Sequence, residues 1–467
     1  MRPSSFLRAA GAPGGDRRAR RSPFRRLRLR HPAQAVAVGF AGAVAVGTAL
    51  LMLPAARVGP GGATLLEALF TATSAVCVTG LVVVDTPSHW TGLGHVVLLG
   101  LIQVGGLGIM TFASALGVLV SRRMGLRARL SAATETKSLG LGDLRSLVLG
   151  VAKYSLAIEA AVALMLAPRF ALGYDEPWPR AAWLGVFHSV SAFNSAGFAL
   201  YPDSLMGFVT DPWICLPVAL AAVCGSLGFP VLFELRRRLR RPARWSMHTK
   251  IVLWASGVFL AGGAVFVTAV EWTNPATLGP LDAPDKVLAG FFQSAMTRSA
   301  GLNSIDISSM TPAGWLGMDI LMFVGGASAG TAGGIKVTTF AVLFFVVYAE
   351  IRGEAAVNIF GRRLPGTVQR QALTVALLSV AAVASSTVVF MLSMDFSLDR
   401  ALFEVISAFA TVGLSTGITA DLPAFNQTLL VVLMFIGRIG PITAASALAL
   451  RSRERLYDLP EERPVIG

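Results

Sequence analysis

The chain has 467 residues, of which 54% are hydrophobic and only 14% are charged, and its formal net charge is +14. Several stretches are long and apolar enough to cross the roughly 30 Å hydrocarbon core of a bilayer, which argues against a soluble multidomain enzyme. Three cysteines without CxxC spacing indicate no disulfide framework, and five scattered histidines without an HxxxH or HExxH pair indicate no zinc site.

Residues 1–31 form a basic N-terminal tail that contains ten arginines. Such a tail is also typical of a twin-arginine export signal or of a DNA-binding arm. We favour a cytoplasmic topology anchor, because the apolar segment that begins at Ala33 is followed by many more. No nucleic-acid partner is therefore expected.

Eight apolar segments follow along the chain as candidate membrane-spanning helices. They are residues 33–53, 93–120, 144–167, 212–235, 248–270, 314–349, 371–394 and 426–450. The connections alternate between short basic loops and longer, acidic loops that are rich in Gly, Ser and Thr. By the positive-inside rule, the basic loops and both termini are cytoplasmic and the acidic loops face outward.

The four outward loops align without gaps on one glycine each. A phenylalanine lies ten residues before each glycine, a Ser or Ala lies six before it, and a Leu or Phe follows it directly. A single such glycine is typical of helix packing or of an ordinary turn. Four copies, spaced 117, 104 and 112 residues apart, argue against that interpretation. The aligned segments are FTATSAVCVTGL (70–81), FHSVSAFNSAGF (187–198), FFQSAMTRSAGL (291–302) and FEVISAFATVGL (403–414).

About ten residues before each glycine are too few to cross a bilayer, so they predict a short pore helix that enters and returns. Irregular backbone at membrane depth is tolerated where it lines a water-filled path, and its carbonyls can replace the hydration shell of a cation. We therefore predict an all-α polytopic membrane protein with four parallel helix, pore-loop, helix (MPM) repeats around one central pore. It would have eight transmembrane helices plus four short pore helices. The predicted units are the basic tail 1–31, repeat 1 (32–120), repeat 2 (121–235), repeat 3 (236–350), repeat 4 (351–450) and a cytoplasmic tail (451–467).

The second helix of each repeat carries a glycine motif, which reads GGLG at 105–108, GSLG at 225–228 and GRIG at 437–440. The third repeat departs from this pattern and reads GGASAGTAGG at 325–334. Small residues in this stretch are compatible with close helix packing. The alternative is a broken helix whose middle obstructs the path below the pore loops.

The pieces VCVTGL, FNSAGF, TRSAGL and TVGLS, with GTAGGIKVTT (330–339) and GRIGPIT (437–443), resemble the Trk/Ktr/HKT superfamily of cation transporters. The resemblance extends over about residues 33–450. The first repeat follows the tail without an additional helix pair, which is more similar to the Ktr-type membrane subunit than to the longer Trk type. The resemblance implies K⁺ uptake across a bacterial cytoplasmic membrane through a channel-like, Na⁺-influenced pore. A Na⁺-permeable or non-selective cation transporter of the same superfamily is the alternative.

The resemblance also implies the roles of individual residues. It places K⁺ at backbone carbonyls of a selectivity filter, and glycine rather than serine at position 80 favours K⁺ over Na⁺. The implied filter residues are Val78, Thr79, Gly80, Ser195, Ala196, Gly197, Ser299, Ala300, Gly301, Thr411, Val412 and Gly413. The implied gating residues are Gly325, Gly326, Ala327, Ser328, Ala329, Gly330, Thr331, Ala332, Gly333, Gly334, Lys336 and Arg438.

Three further side chains have two interpretations each. Arg438 lies in an apolar helix, where a charge usually faces a cavity or a partner, so it either acts as an electrostatic barrier in the pore or forms a structural ion pair. Arg298 is expected to brace the filter from behind, with Glu67 or Glu404 as its partner. His188 is expected to be packed and hydrogen-bonded rather than to carry protons.

No covalently bound cofactor is expected, and no GxGxxG nucleotide site is present, so nucleotide control would require another subunit. The resemblance implies a homodimer and a cytosolic nucleotide-binding regulatory ring of the KtrA/RCK type. The basic loops are equally suited to anionic membrane lipids. Parallel two-crossing repeats argue against an alternating-access transporter. A membrane enzyme or receptor would need a cluster of intramembrane His and Asp residues, which the sequence lacks.

Overall fold

A computed structural model describes residues 32–123 and 143–440 of the chain. The predicted N-terminal tail 1–31, the basic stretch 124–142 and residues 441–467 lie outside the described residues. Those last residues include the end of the eighth apolar segment and the predicted C-terminal tail.

The described chain is almost entirely helical. Its helices are α1 (Pro32–Leu51), α2 (Leu65–Val76), α3 (Thr86–His89), α4 (Gly92–Arg123), α5 (Asp143–Gly173), α6 (Trp178–Asn194), α7 (Pro212–Leu227), α8 (Phe229–Arg238), α9 (Met247–Glu271), α10 (Ala283–Thr297), α11 (Pro312–Phe323), α12 (Val337–Ile351), α13 (Gly366–Ser393), α14 (Leu398–Ala410) and α15 (Ala424–Ile439). Short 3₁₀ turns occur at Pro54–Ala56, Met206–Phe208, Pro242–Arg244, Ile307–Ser309 and Thr419–Asp421. An antiparallel hairpin pairs β1 (Asn358–Ile359) with β2 (Arg362–Arg363).

Four helices of the described chain are long and apolar enough to cross a membrane, namely α4, α5, α9 and α13. The bent pair α7 and α8 makes a fifth when it is counted as one span. The other three predicted spans correspond to shorter apolar helices, which are α1, the divided pair α11 and α12, and α15. These helices are consistent with a multi-pass membrane protein.

The predicted single helix over residues 212–235 is wrong, because α7 and α8 meet at an angle of 99°. Gly228 lies between them with φ +81°, a backbone conformation that favours glycine. Pro230 follows at the start of α8 and has no N–H with which to bond the Ser226 carbonyl four residues earlier. A glycine and a proline this close together break the helix, although the hydropathy of the segment is uninterrupted.

The predicted break in the long apolar segment 314–349 is confirmed. Helix α11 ends at Phe323, and α12 begins only at Val337. The glycine-rich stretch between them is irregular, and a short parallel bridge joins Val324 to Ile335 at its base.

Four of the helices are short and end three or four residues before the aligned glycines. Each packs against the long helix that precedes it, so that α2 lies on α1, α6 on α5, α10 on α9 and α14 on α13. Helix α2 begins with a capping box in which Thr64 and Glu67 bond each other's backbone N–H groups. The C-terminal halves of all four short helices are buried, so the segments that follow them meet in the interior.

Candidate functional site: a glycine ring above a broken helix

The four aligned glycines lie next to one another in the interior. A β-carbon added to Gly80 would lie 2.6 Å from the Ala196 carbonyl oxygen, and one added to Gly197 would lie 3.1 Å from the Ala300 carbonyl oxygen. A β-carbon on Gly301 would collide with the carbonyl oxygen of Val412.

The fourth glycine closes the circle, because a β-carbon on Gly413 would collide with the Thr79 carbonyl oxygen and lie 2.9 Å from Gly80 Cα. Each glycine therefore faces the carbonyl of the residue that precedes the glycine of the next repeat. The four repeats form one ring in chain order. We call these four glycines, with the two residues before each, the glycine ring.

The backbone of the ring requires glycine at all four positions. The φ angles of the four glycines lie between +63° and +98°, and any side chain would also meet neighbouring backbone. The eight other ring residues are fully or almost fully buried: Val78, Thr79, Ser195, Ala196, Ser299, Ala300, Thr411 and Val412.

Repeats 1, 2 and 4 end their short helix in the same way, and repeat 3 does not. Val78, Ser195 and Thr411, each two residues before its glycine, adopt left-handed φ angles of 50° to 62°. In repeat 3 this conformation is absent at Ser299, and the N–H groups of Ser299, Ala300 and Gly301 all point to the Met296 carbonyl instead. The ring is therefore only approximately fourfold.

We call the chain that follows each short helix its return segment. Serine hydroxyls hold three of the four return segments in place. Ser74 Oγ accepts a hydrogen bond from Gly80 N at 3.0 Å, and Ser407 Oγ accepts one from Gly413 N at 3.1 Å. Ser191 Oγ donates to the Phe198 carbonyl at 2.7 Å. This position is the aligned Ser or Ala six residues before each glycine, for which the sequence predicts no role. Repeat 3 has alanine there and lacks the bond.

The first glycine of each second-helix motif lets that helix lie against the short helix of its own repeat. A β-carbon on Gly105, Gly225 or Gly437 would collide with the carbonyl oxygen of the residue four before the ring glycine. These carbonyls belong to Val76, Phe193 and Phe409. The three glycine motifs thus all allow two helices of the same repeat to pack closely. The third repeat has its irregular stretch in place of such a motif.

A cavity of about 280 Å³ lies on one side of the ring, and all four ring glycines line it. Asp85, Asp203 and Asp306 also line it, and no lysine or arginine does so among the described residues. Burial raises the pKa of Asp306, but hydrogen bonds from Ser309 and Ser308 outweigh it and leave the pKa below its usual value. Asp306 therefore stays ionised at neutral pH, and the cavity is suited to attract cations.

The glycine-rich stretch of repeat 3 contacts ring residues that precede the glycines, and none of its residues lines this cavity. We call residues 325–336 the inner loop. The Ala327 N–H donates to the Ser226 carbonyl at 2.9 Å, and the Thr331 N–H donates to the Gly225 carbonyl at 3.1 Å. These carbonyls lie at the C-terminal end of α7, where the helical ladder leaves acceptors free. The sharp bend between α7 and α8, which we call the elbow, thus supplies the acceptors that anchor the inner loop.

The inner loop also touches the ring itself. Thr331 Oγ1 lies 2.8 Å from Ser195 Oγ, and a β-carbon on Gly333 would collide with Thr411 Oγ1. At the other end, Lys336 Nζ donates to the Ala332 carbonyl at 2.5 Å. The inner loop is therefore held directly against repeats 2 and 4, and most of it is buried.

Arg438 joins the inner loop to the first repeat. Its guanidinium donates to the Thr331 carbonyl through Nη1 and to the Gly105 carbonyl, at 3.0 Å, through Nη2. Its side chain is 2% exposed, and no carboxylate lies within ion-pair distance among the described residues. The ion-pair interpretation therefore finds no partner in the part of the chain that the structure describes.

Arg298 does not bond either expected glutamate. It is buried, and its guanidinium donates to the carbonyl oxygen and the hydroxyl of Ser256 at 3.2 and 3.3 Å. Glu67 caps its own helix instead, and Glu404 accepts from the return segment of repeat 4, including Ser415 Oγ at 2.5 Å. Both glutamates thus accept hydrogen bonds from N–H or hydroxyl groups that lie near them in the chain. Sequence spacing alone did not predict these partners.

His188 is packed and hydrogen-bonded, as predicted. Its Nδ1 donates to the Leu184 carbonyl at 2.8 Å, and its Nε2 accepts from the Leu200 N–H at 3.4 Å. The ring also stacks on Tyr201. Both nitrogens of the neutral imidazole are occupied, which leaves none free for proton transfer.

A buried polar cluster behind the ring was not predicted. Glu159 of α5 is 4% exposed, and it accepts hydrogen bonds from Gln103 Nε2 at 3.1 Å and from Asn194 Nδ2 at 3.0 Å. Asn194 directly precedes Ser195 of the ring. An acidic residue inside an apolar segment was the available signal, because such residues usually have a partner or a function.

Comparison with known proteins agrees with this architecture. A model of the TrkH family, described as a cation transport protein, matches residues 21–454. The Ktr system potassium uptake protein B of Bacillus subtilis is 38% identical and is matched over 90% of this chain and 93% of its own length. The protein of the same name from Vibrio alginolyticus is 39% identical, over 92% and 94%.

A third relative, the potassium/sodium uptake protein NtpJ of Enterococcus hirae, is 32% identical over 95% of this chain and 99% of its own. The crystal structure of the potassium transporter TrkH from Vibrio parahaemolyticus matches with a TM-score of 0.72 and 16% identity, over 92% of this chain and 87% of that one. This similarity shows a common fold. With the family match and the sequence relatives, it establishes that the chain belongs to the TrkH family of cation transport proteins and is not an enzyme.

Proposed function

We propose that this chain takes up K⁺ through one channel-like pore, and that the glycine ring is its selectivity filter. The observation that carries the proposal is the fourfold contact between each ring glycine and the carbonyl before the next one. Carbonyl oxygens around one axis can replace the water that a cation loses on entry. The relatives named as potassium uptake proteins support K⁺ as the cargo.

In this proposal each repeat contributes two membrane crossings and one short pore helix, which gives eight crossings around the ring. The acidic cavity faces outward and concentrates cations, since an ionised carboxylate in a concave site raises the local cation concentration. The termini and the basic loops are cytoplasmic. The positive-inside distribution of Lys and Arg supports this orientation.

The inner loop is the gate, and Lys336 holds its end. Below the filter, the loop obstructs the path while Arg438 places a positive charge beside it. A fixed charge in a low-dielectric constriction raises the energy of a passing cation. Selection at the ring and obstruction below it are therefore separate steps.

Na⁺ permeation is a second candidate function, which one relative favours because its name includes sodium.

We also propose that two copies of the chain form a dimer with one pore each, and that a cytosolic nucleotide-binding subunit controls them. The relatives named as component B of a Ktr system support a separate partner.

The test is ⁸⁶Rb⁺ uptake into liposomes that contain only this chain. We expect uptake that external K⁺ suppresses strongly and that Na⁺ suppresses weakly. Equal suppression by Na⁺ would support the second candidate, and no uptake in membranes with folded protein would reject the pore.

A further inference from the structure

A short arginine-rich helix extends from the elbow that anchors the inner loop. Helix α8 leaves α7 at 99°, so it lies close to the membrane plane if α7 crosses the membrane. Its last turn and the chain beyond it line an open cavity of about 560 Å³. Six arginines line this cavity: Arg236, Arg237, Arg238, Arg240, Arg241 and Arg244. We call residues 229–244 the arginine elbow.

Five of these six arginines form no ion pair within the part of the chain that the structure describes. Among the described residues, the one ion pair of the arginine elbow joins Arg238 to Glu234 at 3.8 Å. Arg236 and Arg237 lie over the rings of Tyr154 and Phe233, respectively. No carboxylate lines the cavity, which leaves it suited to several anionic groups at once.

Apolar side chains are exposed beside the arginines. Leu239 is 65% exposed and Phe233 is 37% exposed. Basic and apolar groups side by side on a helix parallel to the membrane are typical of contact with anionic headgroups and the upper acyl chain. A soluble acidic partner would match the charge but not the exposed leucine, so this combination favours lipid.

The arginine elbow bonds the inner loop directly. Phe229 N, at the start of α8, donates to the Ala329 carbonyl at 3.4 Å, and a β-carbon on Gly228 would lie 3.0 Å from that same carbonyl oxygen. On the other side of the elbow, the Ser226 carbonyl accepts from Ala327. A change in the position of α8 therefore moves backbone that the inner loop is bonded to.

We propose that the arginine elbow binds the phosphate groups of anionic membrane lipids, and that this binding sets the position of the inner loop. The effect of the lipid on transport rests on the proposed function, because it requires the loop to be the gate. Lipid binding by the arginine elbow does not depend on the proposed function. The two parts are therefore tested separately.

The transport test compares ⁸⁶Rb⁺ uptake in phosphatidylcholine vesicles with uptake where phosphatidylglycerol replaces part of the lipid. We expect anionic lipid to change uptake at least about fivefold, the lower end of typical coupling between sites. Replacing Arg240, Arg241 and Arg244 by Gln should abolish the change, and replacing them by Lys should preserve it.

The matched control removes three arginines from the next basic connection, as Arg352→Gln, Arg363→Gln and Arg370→Gln. Val357 and Ile359 of that connection share an apolar cluster with Val231 of α8, so both sets lie at the same end of the molecule. The control should keep the full lipid response. An equal loss in both triple variants would show a general charge effect and overturn the proposal, as would an unchanged response in the Gln variant. The same response to inorganic phosphate with neutral vesicles would also overturn it.

The binding test measures phosphatidylglycerol retained on the purified protein relative to phosphatidylcholine. Preferential retention that the Gln variant loses, in a protein without uptake, would keep the lipid site and reject the pore. Uptake without preferential retention would reject the lipid site and keep the pore.

Discussion

The glycine ring and the layer beneath it are built from the same four repeats but differ in symmetry. In the ring, one glycine-to-carbonyl contact occurs four times. Beneath it, repeat 1 has a continuous helix, repeat 2 an elbow, repeat 3 the inner loop, and repeat 4 contributes Arg438. Equal coordination of one ion requires equivalent groups from all sides, whereas a gate requires one part that can move. The difference in symmetry thus matches the separate tasks that we propose for the ring and for the inner loop.

The largest effect is expected from a side chain in the ring. Gly301→Ala places a methyl group against the Val412 carbonyl, at a φ of +63° that disfavours alanine. Displaced carbonyls should raise the barrier by about 3 kcal/mol, which lowers uptake about a hundredfold. ⁸⁶Rb⁺ uptake per folded protein measures this. Gly257→Ala, where no atom lies within 4 Å, is the control and should keep normal uptake.

The next largest effect concerns the layer below. Deletion of Ala327–Thr331 removes the inner loop's bonds to the elbow and should raise uptake about tenfold, corresponding to about 1.4 kcal/mol. The ratio of K⁺ to Na⁺ uptake should stay the same, because the ring is intact. Lower uptake by a variant that elutes as a folded protein in gel filtration would mean that the loop supports the path rather than obstructs it.

A smaller increase is expected from Arg438→Ala, which removes a charge but leaves the loop in place. Uptake should rise several-fold, since the electrostatic barrier falls while two carbonyls lose their donor. Arg438→Lys keeps the charge and should keep uptake low. Arg298→Ala offers a contrast, because that arginine is equally buried but bonds Ser256 behind the ring. It should reduce folded yield rather than raise uptake, and a similar rise in both would contradict the barrier.

The smallest effect is expected from a hydroxyl that supports the ring. Ser74→Ala removes the acceptor of Gly80 N and should cost about 1 kcal/mol of filter stability. We expect the ratio of K⁺ to Na⁺ uptake to fall by about twofold. Ser385→Ala, an exposed serine bonded to its own helix, is the matched control. An unchanged ratio in Ser74→Ala would show that packing alone holds the return segment.

The ring glycines were predictable from sequence because the four outward loops align on them without gaps. Hydropathy alone does not reveal this shared requirement for glycine. The break at residues 325–334 was predictable because five glycines within one apolar segment cannot sustain a helix. The elbow at Gly228 was missed, since apolar residues continue across it and only the nearby Pro230 marks the missing bond.

Contacts between distant segments were not predictable. Gln103, Glu159 and Asn194 come from three different helices, and the partner of Arg298 lies 42 residues away. Such partners depend on how helices pack, and the sequence gives no register for that packing. The roles assigned to the ring, the inner loop and Arg438 remain predictions for experiment.

The most direct test of the division between ring and gate is the K⁺ to Na⁺ uptake ratio of three proteins in the same liposomes. These are the unaltered chain, Gly80→Ser and Arg438→Ala. Serine at position 80 would place its side chain against the Ala196 carbonyl, 2.6 Å from the added β-carbon. We predict that Gly80→Ser lowers the ratio by raising relative Na⁺ uptake, and that Arg438→Ala raises the rate without changing the ratio. An unchanged ratio in Gly80→Ser, together with a changed ratio in Arg438→Ala, would contradict the account.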